Sequence, residues 1–134
     1  MSEFYSVRIW QLKRGVTGGE LEALMSSGYL EMQRWIPGVK HITLLRGGDE
    51  GAGGGKGAGG GKGAGGSAGD HETRYIVTTT FDNYDAYKYW RQVEEEAADY
   101  WERYAAIVMQ WEHLCYLVQE YTGEMVLDTG INGI

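Results

Sequence analysis

Cysteine and proline are nearly missing from this chain, which has one of each, Cys115 and Pro37. A lone cysteine excludes an internal disulfide, and the expected compartment is a reducing cytoplasm. Basic charge is also short: 12 Lys and Arg stand against 19 Asp and Glu, a formal net charge of -7. An acidic surface repels phosphate backbones, so nucleic acid is not an expected partner. No polybasic patch points to a membrane surface, and no apolar run approaches membrane-spanning length. The first residues, Met1 to Tyr5, contain no apolar signal segment. Phenylalanine is scarce as well, with two Phe against five Trp and ten Tyr. Trp and Tyr bring large apolar area with a polar tip. They suit core and interface packing, or a pocket for a flat ligand.

What is present is organised around Arg74 to Arg91. Tyr75 to Phe81 is a run of β-branched and aromatic residues, which fits a half-buried strand. Asp82 and Asn83 interrupt it, and either can cap a following helix. Ala86, Trp90, Val93 and Ala97 then recur at helical spacing. Upstream, Tyr5 to Lys13 alternates as a first strand, with Tyr5, Val7 and Ile9 on one face. Thr17 is a candidate cap for a helix from Glu20 to Trp35, which Pro37 and Gly38 stop. Val39 to Arg46 reads as a second strand. Downstream, Trp101, Tyr104, Ala105 and Val108 prolong the helical stripe past Glu94-Glu95-Glu96, leaving one long helix or two. Trp111 to Tyr121 reads as a fourth strand by alternation. Met125-Val126-Leu127, within a C-terminal tail over 123–134, is either a fifth strand or a docking segment.

Residues 47–70 are a low-complexity, glycine-rich insertion in the hairpin loop between the second and third strands. Its core repeats GAGGGK at Gly51–Lys56 and Gly57–Lys62. A flexible linker is one reading. An extended three-residue-per-turn helix is the other, with Lys56 and Lys62 on one edge and glycine faces open to other chains. A phosphate loop is excluded, because each lysine is followed by glycine instead of Ser or Thr and no helix follows.

The order is therefore β-α-β-β-α-β in a single domain, 1–134: an α+β, ferredoxin-like arrangement with an antiparallel sheet. Right-handed crossovers place the last strand beside the first and the second beside the third. Pro37-Gly38-Val39 leading into His41 to Arg46, followed by Tyr75-Ile76-Val77, Phe81-Asp82-Asn83 and Ala86 to Trp90, resembles the dimeric α/β-barrel superfamily. Within it, the nearest resemblance is to antibiotic-biosynthesis-monooxygenase-type domains. That resemblance implies a homodimer whose sheets face each other, with small-molecule pockets between each sheet and its helices. It also implies activities that range from cofactor-independent oxygenation of polycyclic aromatics to haem degradation. The haem-degrading branch has a proximal His where this chain has Tyr100, an Asn where it has Arg8, and a Trp where it has Phe81. These departures speak against haem degradation by that mechanism.

For chemistry, His41, Asn83 and His113 are the candidate catalytic residues. Trp10, Trp35 and Trp90 are the candidate substrate-binding residues. Histidine titrates near neutral pH and can act as a base. Amide and indole donors can orient a carbonyl or dioxygen. Helix capping by Asn83 and core packing by the tryptophans account for the same residues without chemistry. His41 and His113, assigned to opposite edge strands, would lie about three strand spacings or roughly 14 Å apart, too far to share a metal within one subunit. His71, beside Asp70 and Glu72, reads as a solvated loop residue. No metal and no cofactor are expected. Cys115 reads as a buried, unreactive thiol, and Glu94-Glu95-Glu96 with Asp99 as a solvated helix face. The expected function is a small-molecule enzyme of the cofactor-independent monooxygenase type, acting on an aromatic or polyketide-like substrate. The alternative is a non-catalytic assembly protein, a homodimer or larger homo-oligomer held by aromatic surfaces and the glycine-rich loop.

Overall fold

The computed structural model describes residues 2–47 and 73–131. The glycine-rich tract and His71 lie outside these, except that Gly47 ends the second strand.

Strand β1 (Phe4–Leu12) leads through a short loop to the first helical segment. That segment is α1 (Gly18–Leu24), a π-helical turn (Met25–Tyr29) and α2 (Leu30–Arg34), joined without a break. Thr17 caps it: its hydroxyl accepts from the Glu20 N–H at 3.3 Å, and the Glu20 carboxylate accepts from the Thr17 N–H at 3.2 Å. This reciprocal pair satisfies donors that helix geometry leaves free. Within the π turn the Ser26 and Ser27 hydroxyls donate back to the Glu22 and Ala23 carbonyls. Gly28 lets the last helix come close, because a Cβ there would stand 3.1 Å from Ile107 Cδ1.

β2 (Val39–Gly47) and β3 (Arg74–Phe81) follow, and Asn83 caps α3 (Tyr84–Glu96) by accepting from the Ala86 N–H at 2.9 Å. The chain then breaks at Ala97, which is extended at φ -78° and ψ 111°, and α4 (Ala98–Leu114) begins. The region past the Glu run is thus two helices. β4 (Cys115–Glu124) closes the sheet. The strand expected over Trp111 to Tyr121 is corrected here: residues 111–114 finish α4, and the strand starts at Cys115. No fifth strand forms over Met125 to Leu127, although the Met125 N–H bonds the Glu3 carbonyl at 2.9 Å.

The sheet order is β2-β3-β1-β4, with every neighbouring pair antiparallel. This is the ferredoxin-like α+β arrangement. The helices cover one face only. Under them lie two apolar clusters. One gathers Leu12, Leu21, Met25, Tyr29, Tyr75, Val77, Trp111 and Cys115. The other gathers Met32, Ile36, Phe81, Tyr87, Trp90, Val93, Tyr100 and Tyr104. The candidate site lies between them.

Candidate functional site

Strand alternation aims Ser6, Arg8, Trp10 and Leu12 at the helices. Ser6 and Leu12 are filled over, each 1% exposed. Arg8 and Trp10, between them, border a cavity of about 270 Å³ that also takes in Tyr29, Met32, Glu94, Tyr100, Ile107, Val108 and Trp111. Its volume is just under the usual range for small-molecule pockets. The π turn and α2 supply Tyr29 and Met32, α3 supplies Glu94, and α4 supplies the remainder. Each apolar cluster contributes to its wall.

Two features of this cavity are chemical. The first is unmet hydrogen-bond capacity. The Trp10 and Trp111 rings meet edge to face at 5.5 Å and 87°, and Tyr29 packs against Trp111 at 4.9 Å. Both indole nitrogens are buried, and neither has an acceptor among the described residues. A buried donor left unpaired costs about 1–3 kcal/mol. Two such donors on neighbouring side chains form a wall that a ligand oxygen can relieve.

The second feature is a charged group built around Arg8. Its Nε donates to Glu120 Oε2 at 3.0 Å, and its Nη1 stands 3.6 Å from Glu94 Oε1. Its guanidinium carbon lies 4.7 Å over the Trp90 ring, a cation–π contact. The other Glu94 oxygen accepts from Gln33 Nε2 at 3.4 Å. Gln33 is 1% exposed, and its Oε1 accepts from Trp90 Nε1 at 2.6 Å. An indole N–H can only donate, so Trp90 fixes which way the Gln33 amide faces. The NH2 is thereby turned to Glu94 and to the Tyr100 hydroxyl, 3.5 Å away.

Burial pushes the Glu94 carboxyl above the ordinary carboxylate value, against the lowering pull of Arg8 and Gln33. Burial, and next the charge on Glu94, also raise the Tyr29 and Tyr100 hydroxyls, so both keep their protons at neutral pH. The cavity thus holds an aromatic wall, hydroxyl and indole donors, the Arg8 guanidinium and, in Glu94, a carboxylate of raised basicity, with Arg91, Glu95 and Glu112 also bordering it.

Of the six residues expected from sequence, the structure brings two to this place. Trp10 lines the cavity, and Trp90, fully buried, lies under Arg8 and holds Gln33. Trp35 is 40% exposed and stacks on Tyr100 at 5.8 Å, outside the cavity. Asn83 is engaged as the α3 cap. His41 is exposed on the edge strand β2. His113 is exposed on the last turn of α4, which corrects its placement on a strand face with Cys115. Cys115 is buried beneath that helix end, and burial pushes its thiol up to about 12. Glu95, Glu96 and Asp99 are exposed as expected, with Glu95 at the cavity edge, whereas Glu94 turns inward and is corrected to a cavity residue. The signal for it was its spacing: Glu94 lies one helical turn beyond Trp90 on the buried stripe. Arg8 had a similar signal, a cation flanked two residues each way by helix-facing positions of β1.

No protein-family model matches this sequence, and no curated protein does. Solved structures match along nearly the whole chain. HapK from Hahella chejuensis aligns with a TM-score of 0.58 at 13% identity, covering 98% of this chain and 99% of its own. SnoaB, a cofactor-independent oxygenase from Streptomyces nogalater, aligns over the same shares with a TM-score of 0.53 at 13% identity. A dimeric ferredoxin-like protein from an uncultured marine organism aligns with a TM-score of 0.55 at 9% identity, over 96% of this chain and 100% of its own. At these identities the likeness is one of fold, the ferredoxin-like α+β arrangement. Among the described residues no helix is long and apolar enough to cross a membrane, and no three His, Cys, Asp or Glu gather as a metal site.

Proposed function

We propose that this protein is a small-molecule enzyme of the cofactor-independent monooxygenase type, acting on an aromatic or polyketide-like ketone held in the cavity between sheet and helices. The observation that carries this reading is the aromatic wall with two buried indole donors that lack acceptors. A flat ketone stacks on such rings and offers oxygens to such donors. Trp10 bounds the substrate, Trp90 backs Arg8, and the substrate itself supplies the electrons that reduce dioxygen. The shared fold with SnoaB, described as a cofactor-independent oxygenase, supports the assignment. The working unit is a homodimer with facing sheets. Supporting it, the uncovered sheet face presents Tyr5, Val7, Ile9, Ile76, Leu45, Tyr116 and Tyr121, whose mutual pairing puts them on one side.

The test is oxygen uptake with a hydroxylated anthrone in the presence of a chelator. One dioxygen consumed per anthrone, with the quinone and water as products, is expected, and replacing Trp10 and Trp111 by Phe should slow it at least tenfold, the loss that a missing donor commonly brings. No uptake above the protein-free rate overturns the reading. A second reading, a non-catalytic assembly protein, is favoured by the apolar side chains of the tail, where Val126 is 89% and Leu127 75% exposed. Large assemblies that disappear when residues 51–66 are deleted, together with absent oxygen uptake, would establish it instead.

A further inference from the structure

The structural partners of Glu94, a long ion pair with Arg8 and a hydrogen bond from Gln33, do not by themselves account for its place. Its distance to Arg8, 3.6 Å, is beyond a hydrogen bond, while Arg8 already has a close partner in Glu120 at 3.0 Å. A hydrophobic residue would fill the position at lower electrostatic cost, since burying a carboxylate is expensive unless it is fully paired. Yet Gln33, locked by Trp90, is spent on holding it, and the carboxylate borders a cavity together with the donors Arg8, Trp10, Tyr29, Tyr100 and Trp111, while the other two carboxylates there, Glu95 and Glu112, are exposed.

We propose that Glu94 is the proton acceptor of this cavity: its ligand, a flat aromatic bearing an acidic hydroxyl, enters neutral, gives that proton to the Glu94 carboxylate and remains as an oxyanion facing Arg8. This rests on the aromatic-ligand reading above. The step balances: the ligand O–H breaks, an O–H forms on Glu94, and the electron pair stays on the ligand oxygen. The charge count favours this order. Glu94 and Glu120 together exceed Arg8 by one negative charge. A proton passed from ligand to Glu94 leaves that excess unchanged, whereas a preformed anion would add a second. The other charged or titratable groups near Glu94 are paired, neutral or exposed at the rim. Arg91, on α3 itself, is bonded to Glu95 and to the Tyr87 hydroxyl. Tyr29 from the π turn and Tyr100 from α4 stay protonated. Glu112 from α4 is at the rim, exposed. Gln33 is a positioning residue: it keeps one Glu94 oxygen engaged and aims the group.

The experiment titrates the protein with 1,2-dihydroxyanthraquinone, whose visible spectrum separates the neutral from the ionised form and which dioxygen does not consume. Wild type should bind it and lower its ionisation midpoint by about one pH unit or more, a tenfold preference for the anion. Binding heats in two buffers of different ionisation enthalpy should show no proton released to solvent. Glu94→Gln, with a neutral amide in place of the acceptor, should still bind the ionised form but release about one proton per ligand to solvent, while Glu120→Gln should release none. An unshifted spectrum in bound wild type, or a proton released to solvent as the ionised ligand binds wild type, overturns the proton acceptor and leaves the aromatic cavity standing. Absence of any binding to wild type overturns both. Because the wild-type spectrum and buffer heats need no variant, the outcome does not depend on Glu94→Gln folding.

Discussion

Gly38 holds φ at +96°, and a Cβ there would stand 2.7 Å from the Ala86 Cβ. Its carbonyl accepts from the Asp82 N–H at 3.0 Å, tying the start of β2 to the end of β3. Both the backbone sign and the close approach demand glycine. Gly38→Ala should therefore destabilise by about 1–3 kcal/mol in urea melts, and an unchanged midpoint would refute this. Glu94 makes a prediction with a definite sign. Its folded pKa lies above the ordinary 4.5, so between those two values the folded state holds a proton that the unfolded state has lost. The stability tied to it is present in full below pH 4.5 and is lost as pH rises through the folded pKa. Comparing Glu94→Gln with wild type across mildly acidic to neutral pH isolates this slope: the variant should gain relative stability as pH rises. A constant difference would show that Glu94 titrates normally. Cys115 is 2% exposed with its thiol raised to about 12, so thiol reagents should label it only at the rate of unfolding.

At the scale of elements, the two caps are local features that act on whole helices. Replacing Asn83 by Ala removes the bond to the Ala86 N–H and should cost about 1 kcal/mol. If Asn83 acts only as a cap, affinity for aromatic ligands in the folded protein should not change, and a selective loss of affinity would restore the catalytic role expected from sequence. The strand-to-helix unit from Arg74 onward was legible because its β-branched run, its cap and its 3.6-residue stripe all agree. Likewise Thr17 could be read as a cap, and the β1 alternation held throughout. The end of α4 was not legible. Trp111, His113 and Cys115 alternate like a strand, yet Tyr104, Val108, Trp111 and Cys115 also follow helical spacing, and short apolar segments satisfy both periods. The Cys115 N–H still bonds the Trp111 carbonyl, so the helix continues through the ambiguous residues. That slip carried His113 from a helix end to a strand face. Similarly, the π turn is invisible to a periodicity of 3.6, although it contributes Tyr29 to the cavity.

For the whole molecule, what matters is which surfaces a one-sided helix layer leaves uncovered. The sheet face opposite the helices carries Leu45 at 59%, Tyr116 at 52% and Tyr121 at 54% exposure. An exposed apolar sheet face of this kind marks an interaction site. The homodimer reading predicts twice the chain mass by sedimentation, and predicts that Leu45→Lys with Tyr121→Lys shifts it toward the monomer with the fold retained. A monomeric wild type at tens of micromolar would contradict it. The cavity was less legible than the fold because its members come from β1, the first helical segment, α3 and α4. No local pattern announces a meeting of Arg8, Gln33 and Glu94, or the lack of acceptors for Trp10 and Trp111.

The central claim, that a flat aromatic ligand occupies this cavity, is tested most directly by the indole N–H resonances of the five tryptophans. With 1,2-dihydroxyanthraquinone added to isotope-labelled protein, the Trp10 and Trp111 signals should move most, as their N–H groups gain acceptors. Trp35, outside the cavity, should move little. Movement confined to Trp35, or to no indole while residues of the open sheet face shift, would contradict the account.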